Sequence, residues 1–236
     1  MWYTFKVMYM YKSFIKRILD VVFSLVLIIL LLPLFLIISL LIKLEDGGPV
    51  FYKQKRIGYK NKEFTILKFR SMNVMDEKDE LKVKQDTRIT KVGKFLRKTS
   101  FDELPQLFNI LWGEMSFIGP RPWTTDLLPY YTENQKRRHD VKPGITGLAQ
   151  TSGRNSINIL ERIKYDLNYV ESVNFINDFI ICFKTFELLF SSLITKSNEP
   201  IKQGDRIDDL EILKNQWKNI DDNCLYEEKQ TKLVYN

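Results

Sequence analysis

Residues 21–42, VVFSLVLIILLLPLFLIISLLI, carry no charged side chain. As a straight helix this run rises about 33 Å, enough to cross a hydrocarbon core of ~30 Å. It is too long for the core of a secretory signal, and no small-residue cleavage site follows it. A single crossing is the simplest reading, but two features favour a bend. Pro33 lacks a backbone donor and its ring meets the preceding turn, so a helix kinks there into arms of about 16 Å, each reaching only the bilayer midplane. Both flanks are basic as well. Lys6, Lys12, Lys16 and Arg17 precede the run, and Lys43, Lys53, Lys55, Arg56, Lys60 and Lys62 follow it. Positive charge marks the cytoplasmic side, so a segment that enters, turns at Pro33 and returns to the same face satisfies both flanks. Bent backbone at that depth needs internal partners, and Ser24 and Ser39 are the polar side chains at hand.

Outside this run the chain has the composition of a globular domain. Its 236 residues are 44% hydrophobic, which excludes a polytopic membrane protein and allows one sizeable core. The net charge of +7 is unevenly spread. The stretch 195–236 holds seven basic and nine acidic side chains, so the part before it carries +9. A basic body beside an apolar segment suits membrane lipids with anionic headgroups and phosphate-bearing substrates. Nucleic acid is disfavoured as a partner, because the cations are scattered among acids with no binding signature. Cys182 and Cys224 make no spacing motif and read as reduced thiols. With His139 the sole histidine, a His-rich zinc site is excluded, and any divalent metal is a hard ion held by carboxylate and substrate phosphate.

The sequence divides into a membrane-anchoring segment (1–45), a globular domain expected on the membrane surface (46–194) and a polar, peripheral tail (195–236). The expected fold class is α+β and mostly helical, with a re-entrant N-terminal helix broken at Pro33, a small β-hairpin and interfacial amphipathic helices. The hairpin falls in 50–70, where Val50, Tyr52, Phe64, Ile66 and Phe69 are strand formers and Gly58 with Lys60-Asn61-Lys62 supplies the turn. The charged stretch 76–84 reads as a solvated helix or loop. In 99–115, TSFDELPQLFNILWGEM, an apolar face recurs at Leu104, Leu107, Phe108 and Leu111. Asp102 is the preferred N-cap, which leaves Pro105 at the third helical position. A Ser100–Glu103 capping box sets Pro105 one place too deep. GPRPW (119–123) and KPGITGLAQTSGRN (142–155) are loops of defined shape. Residues 178–194 read as an interfacial or docked helix, because Lys184 and Glu187 interrupt their apolar run.

Two clusters carry candidate chemistry. Asp102-Glu103 read alone is a helix cap. At a helix mouth, however, a carboxylate stays ionised and the same amides attract phosphate, so Asp102 could act as nucleophile or metal ligand. In Gly119-Pro120-Arg121-Pro122, two prolines pin the backbone on either side of a guanidinium suited to phosphate oxygens; the plain alternative is a rigid turn with a solvated arginine.

The string DTRITKVGKFLRKTSFDELPQLFNILWGEMSFIGPRP, followed by KPGITGLAQTSGRN, closely resembles the bacterial sugar transferases that are monotopic polyprenyl-phosphate phosphoglycosyl transferases. The likeness runs from about residue 12 to 193 and includes Lys16-Arg17 with Asp20 and the hairpin ending in KFRSM. The resemblance implies an enzyme at the cytoplasmic face of the bacterial inner membrane that initiates surface-glycan synthesis. Asp102 is then the nucleophile that attacks the phosphorus next to the sugar of a UDP-sugar, releasing UMP and holding a phosphosugar until polyprenyl (undecaprenyl) phosphate accepts it. Mg2+ assists, touched by Asp102, and Glu103 is the second catalytic acid. Arg121, flanked by Pro120 and Pro122, contacts the donor phosphates, with Lys68, Arg70 and Arg97 as further substrate-binding positions. It also implies the helix-break-helix segment, although Leu32 stands where members often have serine before the proline. A lipid-binding scaffold and a glycosyltransferase that releases UDP are the competing readings.

Overall fold

The computed structural model describes residues 10–73, 88–152, 157–194 and 209–216. Its first helix, α1, spans Lys16–Asp46 and is entered through a π-type turn, Tyr11–Ile15. One stripe of α1 (Asp20, Ser24, Leu27, Leu31, Phe35, Ile38, Ile42) faces the rest of the protein at three- and four-residue spacing. Val26, Ile29, Leu30, Leu36, Ile37 and Leu40 are exposed. The helix continues through Pro33, so the break expected there is not seen as an end to it. Proline removes one intrahelical donor, and the flanking Leu31, Leu34 and Phe35 stay packed on one core cluster.

The expected hairpin is present. Strands β1 (Phe51–Ile57) and β2 (Glu63–Phe69) pair antiparallel with Gln54 opposite Ile66. Lys60 and Asn61 take the left-handed backbone of the turn between them. Phe64, Ile66 and Phe69 turn inward to join Phe35, Ile38 and Ile42 of α1 and Leu107 and Ile110 in the main core. Asn109, fully buried, docks the hairpin. Its amide donates to the Thr65 carbonyl (2.8 Å), and its oxygen accepts the Leu67 N–H (3.0 Å).

Helix α2 (Lys91–Thr99) starts at Thr90, whose hydroxyl accepts the Gly93 N–H. Glu45, at the end of α1, accepts the Lys91 N–H at 2.7 Å. A β-carbon at Gly93 would lie 2.1 Å from the Ser71 carbonyl oxygen, so the helix backbone rests directly on the chain leaving β2. Ser100, in the left-handed region, ends α2 and turns the chain into a 3-10 turn, Phe101–Glu103, that leads through Pro105 into α3 (Gln106–Trp112).

This corrects the expected cap. Asp102 lies inside the 3-10 turn, and no side chain caps either element. An N-cap needs extended backbone, whereas the left-handed Ser100 feeds the chain straight into a helical turn. The Glu103 and Leu104 N–H groups bond to the Ser100 and Phe101 carbonyls, so they are not left over for a phosphate.

Strand β3 (Ser116–Ile118) pairs parallel with β4 (Gly144–Thr146), an arrangement not foreseen from the loops around it. A β-carbon on Gly144 would lie 2.2 Å from the Gly119 nitrogen, so the two glycine loops touch backbone to backbone. Helices α4 (Glu133–Lys136), α5 (Leu148–Ser152), α6 (Ile159–Glu171) and α7 (Phe175–Ile194) complete the domain. Part of the expected peripheral tail is packed. Residues 209–216 are helical, and Leu213 is fully buried against a cluster that includes Ile159 and Ile163. The rest of the tail, the charged stretch 76–84, Arg154 and Asn155 lie outside the described residues.

Replacing Asn109 with leucine keeps its branched shape but strands the Leu67 N–H and the Thr65 carbonyl. It is expected to destabilise the protein by about 2–4 kcal/mol, read as a lower denaturation midpoint in detergent; an unchanged midpoint refutes the docking role.

Candidate active site

The 3-10 turn delivers two adjacent carboxylates into a ring of cations drawn from separate elements. Lys68 comes from β2, Arg97 from α2 and Arg121 from the loop after β3. Glu103 is the fixed member of the acid pair. One of its oxygens, Oε1, accepts from Lys68 Nζ at 2.7 Å and from Arg121 Nη2 at 2.8 Å. The carboxylate of Asp102 accepts no hydrogen bond among the described residues, although Lys68, Arg97 and Arg121 all act on it through their charge. Three cations against two acids leave this cluster one positive charge in excess, a setting for an anionic ligand.

The electrostatics separate the two acids. Burial pushes the Asp102 carboxyl above its ordinary value and the neighbouring Glu103 charge adds to this, while Lys68, Arg97 and Arg121 pull the other way. Burial also acts against the Glu103 charge, but the direct contacts from Arg121 and Lys68 outweigh it and hold that carboxyl well below the usual range. Glu103 in turn raises the Arg121 guanidinium. Glu103 is therefore a firmly ionised structural anion, and Asp102 a desolvated carboxylate without a direct partner, the more reactive state of the two.

The loop carrying Arg121 is held through three successive carbonyls. Pro120 accepts the Gly144 N–H at 2.9 Å, Arg121 accepts from Arg138 Nη2 at 2.9 Å, and Pro122 accepts from Arg56 Nη1 at 3.3 Å. Pro120 and Pro122 thus act here through their backbone. Arg138 is fully buried, pairs with Asp166 at 2.6 Å and lies 4.1 Å from the centre of the Trp123 ring. Sequence reading missed both Arg138 and Asn109. Within QKRRHD an arginine looks like any solvated cation, and its burial follows only from the return of α6 with Asp166.

Of the expected cations, Lys68, Arg97 and Arg121 meet at the acid turn. Arg97 is oriented by its bond to Ser71 Oγ at 2.9 Å. Arg70 does not join them: its buried guanidinium is paired with Asp46 at the end of α1, and its Nε donates to the Pro49 carbonyl at 2.6 Å. Arg70 lies just past the end of β2 at Phe69, with its N–H bonded to the Val50 carbonyl (2.9 Å), so it does not share the face that strand alternation gives Lys68. For a metal, no group of three His, Cys, Asp or Glu side chains is assembled among the described residues. The open Asp102 carboxylate fits a hard ion whose remaining ligands come from phosphate.

Comparison with known proteins gives this arrangement a family context. The profile of the bacterial sugar transferases matches residues 11–192. An uncharacterized sugar transferase, EpsL, of Bacillus subtilis is 42% identical over 78% of this chain and 92% of its own. The UDP-glucose:undecaprenyl-phosphate glucose-1-phosphate transferase of Klebsiella pneumoniae is 44% identical over 77% of this chain. The undecaprenyl-phosphate galactose phosphotransferase of Salmonella typhimurium is 41% identical over 75% of it. The matched region spans 41% of the length of each of these last two.

Beside the loop, His139 is buried, accepts from Arg138 through Nε2 (3.2 Å) and meets Asn61 Oδ1 through Nδ1 (2.6 Å). Burial, with the Arg138 charge, holds it neutral, its pKa pushed down to about 2. Below pH ~6.5 the unfolded chain binds a proton there that the folded chain refuses, so stability falls as pH drops, by up to about 1.4 kcal/mol per pH unit. His139→Gln should flatten this acid-side slope between about pH 6.5 and 4.5. Equal slopes for variant and wild type would show that the ring is not held neutral.

Proposed function

Since the chain belongs to the bacterial sugar transferase family, we propose that it moves a phosphosugar from a UDP-sugar to polyprenyl phosphate and releases UMP, with Asp102 as nucleophile. The observation that carries this reading is the unlike state of the two acids, Glu103 held by two cations and Asp102 left open. A carboxylate oxygen of Asp102 attacks the phosphorus next to the sugar. The bond from that phosphorus to the bridging oxygen breaks, and UMP leaves with the electron pair. A phosphate oxygen of the polyprenyl carrier then attacks the same phosphorus, the bond to Asp102 breaks, and the carboxylate is regenerated alongside a polyprenyl diphosphate sugar.

Each chain residue has a physical task in this scheme. Phosphoryl transfer between anions depends on positioning and charge neutralisation more than on proton transfer. Arg121 and Lys68 supply the charge, and the bonds to the Pro120, Arg121 and Pro122 carbonyls keep the guanidinium in place. Magnesium, when bound to Asp102 and the donor phosphates, would supply further neutralisation. The raised pKa of Asp102 moves the loss of its nucleophilic form, as pH falls, to a higher pH than for an ordinary Asp.

We further propose a re-entrant, monotopic placement on the cytoplasmic face of the inner membrane. The stretch Tyr11–Asp46 is long and apolar enough to cross a bilayer, but its ends are gripped by one domain. Near the start, Arg17 donates to the Ile110 and Leu111 carbonyls at 2.6 and 2.9 Å, and Asp20 accepts from Ser116 and the Phe117 N–H at 3.1 Å. At the end, Asp46 pairs with Arg70. A helix passing through the bilayer would separate these contacts by the hydrocarbon core. Helix α7 supports the same placement. It buries Asp178 and Ile181 while exposing Phe175, Phe179, Phe183, Phe186 and Phe190, an apolar face suited to the lipid interface.

In a nucleotide-product assay with a UDP-sugar, polyprenyl phosphate and Mg2+, UMP should appear, and Asp102→Asn should lower turnover roughly 10³-fold or more. Donor-treated wild type should carry a phosphosugar adduct on residue 102 by mass spectrometry. Release of UDP would establish a conventional glycosyltransferase, and salt-sensitive lipid binding without turnover would establish a scaffold. For the membrane placement, Phe179→Asp combined with Phe183→Asp should weaken binding to phospholipid vesicles without lowering the melting temperature. Vesicle binding at wild-type strength would rule out α7 as a lipid-facing helix.

A further inference from the structure

Gln106 is 2% exposed, and its amide nitrogen has no hydrogen-bond partner. An enclosed amide of this kind costs stability on the order of a lost hydrogen bond, and such groups are uncommon in native folds. Its position narrows what it serves. Between Ser100 and Phe108 four backbone N–H groups bond to the carbonyl three residues earlier: Glu103 to Ser100, Leu104 to Phe101, Leu107 to Leu104 and Phe108 to Pro105. The 3-10 turn ends at Glu103 and α3 begins at Gln106, and on such helical turns side chains three apart are neighbours on one side. Glu103, Gln106 and Asn109 therefore form a single row. The row meets β2 at both ends, through Glu103 to Lys68 and through Asn109 to Thr65 and Leu67. Gln106 lies between these anchors, three residues from each.

Water does not reach the amide nitrogen, so its partner must come from within the protein. Glu103 is the neighbour whose bonding has to change. Both of its hydrogen bonds fall on Oε1, and they come from Lys68 and Arg121, the two cations that a bound diphosphate would compete for. Its other oxygen accepts nothing among the described residues. A cation drawn toward phosphate leaves a largely buried carboxylate short of donors, and the unused Gln106 amide, three residues on along the same side, is a donor placed to replace it.

We infer that Gln106 is a positioning residue, whose amide takes over the Glu103 carboxylate when a nucleotide diphosphate draws Lys68 and Arg121 away. The inference rests on the proposed use of these cations by a UDP-sugar. It assigns Gln106 a role in the ligand-bound state and none in reaching the resting fold.

The test is calorimetric binding of UDP with Mg2+ to the full chain in lipid nanodiscs, for wild type, Gln106→Met, Glu103→Gln and the double variant, with melting temperatures alongside. Gln106→Met should melt no lower than wild type, because it removes an unpaired buried amide. It should bind UDP about 10- to 100-fold more weakly, the worth of a hydrogen bond to a charged group. In the Glu103→Gln background the same change should weaken binding no further, since the carboxylate is gone. Unchanged UDP affinity in Gln106→Met overturns the inference, as does an equal loss in both backgrounds. If Gln106→Met does not fold, Gln106→Leu replaces it, and failure of both to fold overturns the inference too. A wild type that does not bind UDP removes the proposed function and this inference together, whereas wild-type binding with an unaffected Met variant removes the inference alone.

Discussion

Two cations on a single oxygen of Glu103 join three parts of the chain. Lys68 ends a hairpin, Arg121 lies in a proline-bounded loop, and Glu103 is fixed in a 3-10 turn. A carboxylate this far from water is costly unless fully paired, and removing either partner of such a pair destabilises strongly. The pairing therefore closes the site from three sides. It also leaves Asp102, the next residue, in a positive field with no direct bond of its own, which is the state a nucleophilic carboxylate requires.

Supports for this arrangement lie one layer beneath it. Asn109 holds β2 against α3, and so fixes Lys68 relative to the acid turn. Arg138, neutralised by Asp166 and stacked on Trp123, holds the Arg121 carbonyl. Close backbone contact of Gly119 with Gly144 sets the loop against β4. Such groups act by geometry, holding Lys68 and Arg121 in place around the acid turn.

The long apolar helix α1 is part of the same construction. Its Phe35 and Ile38 share a core with Phe69 of the hairpin and Leu107 of α3. Glu45 accepts from the first amide of α2, the helix that carries Arg97. Tyr11, Lys16 and Tyr169 converge on Asp178 of α7, linking the start of the anchor to the helix with the exposed aromatic face. Apolar anchor and polar site are therefore coupled through side chains, with no linker between them.

Local chemistry was legible in the sequence. The apolar run, the hairpin with its Gly58–Lys62 turn, the apolar face of 104–111 and the acid pair follow from periodicity and from backbone preferences that act over a few residues. The motif resemblance added the expected roles of Asp102, Glu103 and Arg121. What the sequence could not supply were contacts between distant segments. Arg70 and Lys68 are two residues apart and of like charge, yet one pairs with Asp46 and the other with Glu103. Arg138 reads as a surface cation until Asp166 of α6 encloses it, and Leu213 reads as a tail residue until it meets Ile159 and Ile163. Asp102 was expected to cap a helix, but the left-handed Ser100 set it inside a turn. Spacing and propensity are properties of neighbours along the chain, so the sequence alone determined the elements and the candidate residues. Burial and charge pairing depend on which segments return to one another, so only the tertiary structure decided which of two adjacent acids is hydrogen-bonded to cations and which has no hydrogen bond among the described residues.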